Sequence, residues 1–150
     1  MQKKRYLFCA LIGVLMAVVV PLQAGAGSTR KATAVIWGGK NDCGSSTKKG
    51  FTRSGKTTFV RSGANMTVSF SVTGLSPSTE YFAEVHADGD CNSWIYALDV
   101  NTDANGNASS TGNTFPTATG HSQFFQDFRL APGGHPGTIA SAGTNTVTLP

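Results

Sequence analysis

Charge is what this sequence has least of. Of its 150 residues only twelve are Lys or Arg and eight are Asp or Glu, 13% in all, against the usual quarter of a globular chain. Histidine and cysteine each occur three times. Three histidines leave little room for a multi-imidazole metal centre, and so few cysteines exclude a disulfide-dense scaffold. Long apolar runs are missing except near the start. There Tyr6 to Val20 is almost unbroken in apolar and small residues, yet at about 15 residues it is shorter than the roughly 20 that a bilayer-spanning helix needs. No Gly-x-Ser-x-Gly turn and no Gly-rich loop ahead of a helix occur, so hydrolase and nucleotide-binding readings have no support.

The apolar run follows Lys3-Lys4-Arg5 and ends at Pro21-Leu22-Gln23-Ala24. A charged start, a short apolar stretch and a small-residue end predict a secretory signal peptide over residues 1–24, cleaved near Ala24. The mature chain, residues 25–150, then forms a single domain, secreted or periplasmic, with no transmembrane segment. Cleavage changes the charge arithmetic. Three of the twelve bases leave, nine bases face eight acids, and the formal charge falls from +4 to +1. A basic isoelectric point is therefore no argument for nucleic acid as a partner.

What is plentiful is small and polar. From Gly25 onward Ser, Thr, Gly and Asn supply 57 of 126 residues, a mixture that suits short strands and tight turns and disfavours long helices. Cys9 belongs to the signal. The remaining pair, Cys43 and Cys91, most economically bond to each other in an oxidising compartment. That bridge closes a span for which loop-closure entropy suggests roughly 4 kcal/mol. A metal held by only two sulfurs is the weaker alternative.

Strand patterning runs through the mature chain. Thr33 to Trp37 and Thr57 to Val60 are short β-branched or aromatic runs, separated by a Gly-, Ser- and Lys-rich stretch, Gly38 to Lys56, that reads as a long surface loop. Met66, Val68, Phe70 and Val72 alternate with polar residues, the period of two of a strand with one face on a core. After the turn Leu75-Ser76-Pro77-Ser78, Tyr81, Ala83, Val85 and Ala87 fall on one face and Phe82, Glu84 and His86 on the other. Trp94 to Val100, Ala108 to Thr111, Phe124 to Leu130 and Thr144 to Leu149 complete the set. Seven or eight short strands with turns at this spacing predict an all-β, antiparallel sandwich or barrel.

Charge is lopsided along that sheet. Residues 25–75 hold eight bases and one acid, residues 76–150 one base and seven acids. In one reading a basic stretch from Lys40 to Arg61, with Lys48, Lys49 and Arg53, recruits an anionic extracellular partner. In the other the halves pack together and neutralise each other.

Two constellations offer chemistry. The phrase Gly74-Leu75-Ser76-Pro77-Ser78-Thr79-Glu80-Tyr81, taken alone, resembles part of a fibronectin type III module. There it lies near the domain's end, whereas here several strands follow. Extended through Val85-His86, Gly89-Asp90-Cys91, Trp94 to Asp99, the Asp103-Ala104-Asn105-Gly106-Asn107 turn and Thr114-Phe115, the pattern resembles the exported bacterial copper/zinc superoxide dismutase-like proteins. The resemblance covers about residues 66–149. It implies an eight-stranded Greek-key β-barrel with metal on its outer face. The family's His-Val-His reads Glu84-Val85-His86 here, so one copper-ligand position matches and its neighbour is a carboxylate. The loop that carries bridging and zinc histidines is absent, the late strand Gln123 to Phe128 holds no His, and the cysteine near the C-terminus is missing.

Copper chemistry needs several imidazoles. Glu84 and His86 share a strand face and offer two ligands for copper or zinc, with His121, Asp127 or His135 as candidates to complete the site. The plainer reading is a solvated Glu and His on an outer face. The second constellation runs from Asp88 to Asp99, where oxygen-bearing residues at Asp88, Asp90, Asn92 and Asp99 copy the spacing of a calcium loop. Ser93 replaces the turn glycine, Asp99 the longer Glu, and the flanks read as strands. The sequence thus favours a superoxide dismutase-like domain that has lost its cofactor and acts by extracellular binding, with copper, zinc or calcium binding as the alternative.

Overall fold

The computed structural model describes residues 28–38, 52–90, 94–117, 120–131 and 140–150. Cys43, Cys91, Lys48, Lys49 and His135 lie outside them, as does the predicted signal segment.

Every regular element among the described residues is a strand. They are β1 (Arg30–Gly38), β2 (Thr52–Ser62), β3 (Asn65–Val72), β4 (Glu80–Ala87), β5 (Trp94–Asn101), β6 (Ala108–Pro116), β7 (Gln123–Leu130), β8 (Ala140–Thr144) and the two-residue β9 (Val147–Thr148). Eight form one antiparallel sheet in the order β5-β4-β7-β8-β1-β2-β3-β6, and β9 pairs with β7. The end strands β5 and β6 do not pair, but the Tyr96 ring stacks on Phe115 with centroids 4.2 Å apart. The sheet is thus nearly closed into a barrel, one of the two all-β forms, sandwich or barrel, that the sequence predicted.

Two connections make the topology a Greek key. The chain leaves β3 and returns in β4 past β6 and β5, and it leaves β6 and returns in β7 past β5 and β4. The first crossing is locked by hydrogen bonds. Thr102 donates its hydroxyl to the Ser76 carbonyl at 2.7 Å and accepts from the Thr79 amide at 2.9 Å. The Ser76 amide donates to the Tyr81 hydroxyl at 3.0 Å.

The alternating apolar sets fill the barrel. Phe59, Met66, Val68, Val85, Phe115 and Phe124 pack at one level, and Ile36, Phe70, Val72, Tyr81, Val100 and Phe128 at the other. Gln126 is polar and buried, together with Thr57 and Thr144. Its side-chain oxygen accepts from the Thr57 hydroxyl at 2.7 Å and its backbone N–H donates to the Thr144 hydroxyl at 2.9 Å, so these groups are satisfied on burial.

Strand boundaries differ from the sequence reading in several places, β1 for one running Arg30–Gly38 and not Thr33 to Trp37. The stretch taken as a loop from Gly38 to Lys56 gives way to β2 already at Thr52, because residues 52–56 pair with Gly38, Trp37, Ile36 and Val35. Ala108 to Thr111 extends to Pro116, crossing a bulge in its pairing with β3. The single strand expected over Thr144 to Leu149 is instead the end of β8 followed by β9.

Candidate functional site

The outer face of β4 and β7 carries the densest chemistry. Register sets Glu84 opposite Asp127, His86 opposite Phe125 and Phe82 opposite Arg129. Since residues two apart share a face, Glu84, His86, Asp127 and Arg129 converge from two adjacent strands. The expectation of a solvated Glu and His on this face is not met. Glu84 is 1% exposed, His86 0% and Asp127 2%, so the outer face is covered here as fully as the barrel interior.

His86 anchors the cluster. Its ring stacks on Phe125, centroids 4.7 Å apart and planes within 7°. Nδ1 lies 3.2 Å from the Asp90 carbonyl. That carbonyl accepts only, so Nδ1 carries the hydrogen and Nε2 faces the carboxylates. Nε2 is 3.3 Å from Glu84 Oε2 and 3.3 Å from Asp127 Oδ1. Arg129 closes the group from the other side. Its Nε is 3.3 Å from Glu84 Oε2 and 3.1 Å from Asp127 Oδ2, and its Nη2 is 3.0 Å from Asp127 Oδ2.

Charge balance follows from these distances. Burial works against a charged imidazole, but the hydrogen bond and charge of Asp127, aided by Glu84, outweigh burial and the repulsion of Arg129, and the His86 pKa lies above its ordinary value. Arg129 behaves alike: burial opposes its charge, Asp127 and Glu84 favour it, and its pKa is raised. With His86 protonated, two carboxylates meet two cations. A buried group of charges is tolerable only when so paired.

The site tests the metal implied by the superoxide dismutase-like resemblance. Glu84, His86 and Asp127 each offer one ligand atom, all within 4.8 Å of one another. The donors are one imidazole and two carboxylates, with a guanidinium already among them, and copper redox chemistry needs several nitrogen ligands. The residues do not fit copper.

Other candidates lie apart. His121 does not join His86: its Nδ1 pairs with Asp88 Oδ2. Asp88 Oδ1 also accepts the Ser122 and Gln123 amides, each at 3.3 Å, and the His121 hydrogen bond, followed by these amides, holds its carboxyl below the usual range. The Asp88 to Asp99 spacing does not form one calcium loop among the described residues. Asp99 stands in β5 opposite Phe82, six residues along β4 from Asp88, or about 20 Å. Asp103 is satisfied locally, accepting the Asn105 and Asn107 amides at 2.8 Å.

Sequence reasoning named Glu84, His86 and Asp127 but missed Arg129. The available signal was Asp127-x-Arg129, two charges on one strand face. Comparison with protein-family models, curated proteins and solved structures finds no match to this chain.

Proposed function

We propose that the chain is an exported, superoxide dismutase-like barrel that works by binding at an extracellular or periplasmic surface, not by redox catalysis. The observation that carries this reading is Arg129. A cation supplied by the protein sits between Glu84 and Asp127 at 3.0–3.3 Å, on the face where the resemblance implies metal, so those carboxylates are committed to an internal ion pair. His86 is likewise engaged at both ring nitrogens. The charged N-terminal segment and the composition of a turn-rich β domain support export.

The test is metal analysis of the purified mature protein together with a superoxide-consumption assay. The expected outcome is no stoichiometric copper and no superoxide removal above buffer. Copper held at one per chain through His86, with superoxide removal lost in His86→Ala, overturns the reading.

One observation favours a second reading. An imidazole fixed through Nδ1 to a backbone carbonyl, with Nε2 turned toward two carboxylates, is the arrangement that orients a metal-binding histidine. In that reading the cluster takes a divalent cation content with mixed nitrogen and oxygen ligands, such as zinc, when Arg129 swings aside. Arg129→Met separates the two. As an ion pair, losing one partner of a buried group costs about 3–5 kcal/mol, with no rescue by zinc. As a metal site, the variant binds zinc more tightly than the parent and recovers its melting temperature when zinc is added.

A further inference from the structure

The turn from β5 to β6 is tied at every backbone group that shapes it. The Asp103 N–H donates to the Asn107 carbonyl at 2.8 Å and the Gly106 N–H to the Asp103 carbonyl at 3.0 Å. With Gly106 at a φ of 74°, this is the pattern of a three-residue loop, Ala104-Asn105-Gly106, closed by a left-handed glycine. Asp103 braces the loop. Its Oδ1 accepts the Asn105 and Asn107 amides, each at 2.8 Å, and its Oδ2 the Asn107 side-chain amide at 3.1 Å. The Asn107 amide first, then that of Asn105, holds the Asp103 carboxyl below its ordinary range. From outside the loop the Leu75 N–H donates to the Gly106 carbonyl, and the Leu75 carbonyl fills the space a Cβ on Gly106 would need.

Asn105 is the loop residue whose side chain takes no part in this network. It is exposed, whereas Gly106 is buried, and its side-chain amide makes no hydrogen bond among the described residues. Of all the asparagines in the chain it alone precedes a glycine. The neighbouring asparagines are held: Asn107 by Asp103, and Asn113 by the Ser110 hydroxyl at 2.6 Å. Both precede residues with a side chain, Ala108 and Thr114, which shields the following backbone nitrogen as glycine does not.

We propose that Asn105-Gly106 is a self-modification site, a deamidation timed by opening of this loop, whose product undoes the lock between the loop and Leu75. The Gly106 nitrogen, its proton lost to solvent, attacks Asn105 Cγ. The new C–N bond replaces the bond from Cγ to Nδ2, ammonia leaves, and a five-membered succinimide results. Water then opens the ring at either carbonyl, leaving an aspartate or a β-linked isoaspartate, so the reaction consumes one water, releases one ammonia and needs no oxidant or enzyme. Attack within one chain has the advantage of proximity. In the closed loop, however, the Gly106 nitrogen is bound to the Asp103 carbonyl and out of reach of solvent, so the reaction waits for local opening. The β-linked product lengthens the main chain by one methylene, about 1.5 Å, and sets a new carboxylate beside Asp103. Gly106 then cannot meet both Asp103 and Leu75, and the Greek-key crossing loses its tie.

The experiment ages the folded mature protein at mildly alkaline pH beside the same chain in denaturant, and follows amide-to-acid conversion at each asparagine by peptide mapping. In denaturant Asn105 converts at least tenfold faster than any other asparagine, and folding slows it at least tenfold. Asp103→Ala, which removes the brace, raises the folded rate at least threefold. Hydrogen exchange at the Gly106 amide of the parent checks the gate without a variant, and its protection matches the slowing of Asn105. The isoaspartate fraction, separated by charge, melts below the parent, whereas Asn105→Gln aged alongside keeps its melting temperature. Fastest conversion at another asparagine overturns the site. Equal rates in the folded and denatured chain, or an unprotected Gly106 amide, overturn the gating by the loop. A modified fraction that melts with the parent overturns the loss of the lock. None of these outcomes bears on the copper and superoxide measurements, which decide the binding reading separately.

Discussion

At the scale of one residue, His86 couples the fold to pH. It faces Glu84 on its own strand and Asp127 and Arg129 on β7, and its pKa is raised above the ordinary 6.5 because Asp127 and Glu84 outweigh burial and Arg129. A group that holds its proton more tightly when folded adds its full stability below the unfolded pKa and loses it as pH rises through the folded value. The melting temperature is therefore expected to fall as pH increases above about 6.5, and this slope should vanish in His86→Gln. Asp88 acts in the opposite sense. Its pKa is depressed by His121 and by two amides, so its contribution is present above the ordinary carboxylate range and is lost on acidification. Because Asp88 is exposed, that acid limb is shallow. Thermal melts from pH 2 to 9 on the parent, His86→Gln and Asp88→Asn separate the two groups, and a parent profile flat above pH 6.5 contradicts the charge assignment at His86.

At the scale of elements, the Greek-key crossing is held where the β5–β6 turn meets the β3–β4 connection. Gly106 has a φ of 74°, and a Cβ built there comes within 2.0 Å of the Leu75 carbonyl oxygen, while the Leu75 amide donates to the Gly106 carbonyl at 3.1 Å. Both the backbone angle and the space demand glycine. Gly106→Ala is expected to cost about 1–3 kcal/mol, seen as a lower denaturant midpoint. Gly63→Ala, also at positive φ but with nothing within 4 Å of its Cβ, should cost less, and equal losses mean that the contact with Leu75 does not matter. The Asp103 to Asn107 turn was legible because its residues tolerate positive φ. The alternation of β3, β4 and β7 was legible because it is local. The start of β2 was not: Thr52 to Lys56 contains no apolar residue and becomes strand only by pairing with β1, a tertiary effect on a weak propensity. The burial of Glu84 and His86 escaped for the same reason. Their shared face follows from spacing, but its partners come from β7, about 40 residues later, and nothing local to Glu84-Val85-His86 announces Arg129.

At the scale of the whole molecule, the described strands keep the charges of the sequence apart, with Arg30, Lys31, Arg53, Lys56 and Arg61 on β1 and β2 and Glu80, Glu84 and Asp99 on β4 and β5. Composition could not show this, since it depends on β3 and β6 separating the two halves in the sheet. The sequence proposes a second long-range constraint, a covalent one. Cys43 and Cys91 lie outside the described residues, and their proposed pairing rests on the proposal that the chain is exported and keeps these two cysteines. Cross-linking across that span removes unfolded-state entropy worth roughly 4 kcal/mol, on the order of a third of a small domain's stability. A bond between the two has a signature that two separate buried thiols lack. Cys43→Ser and Cys91→Ser should each lose nearly the same amount, and the double variant should lose no more than either, because the first substitution already removes the bond. Thiol titration of the denatured, unreduced mature protein should find no free sulfhydryl. Additive losses in the double variant, or two titratable thiols, mean that the cysteines do not pair and that the barrel is held by its ladder and core alone.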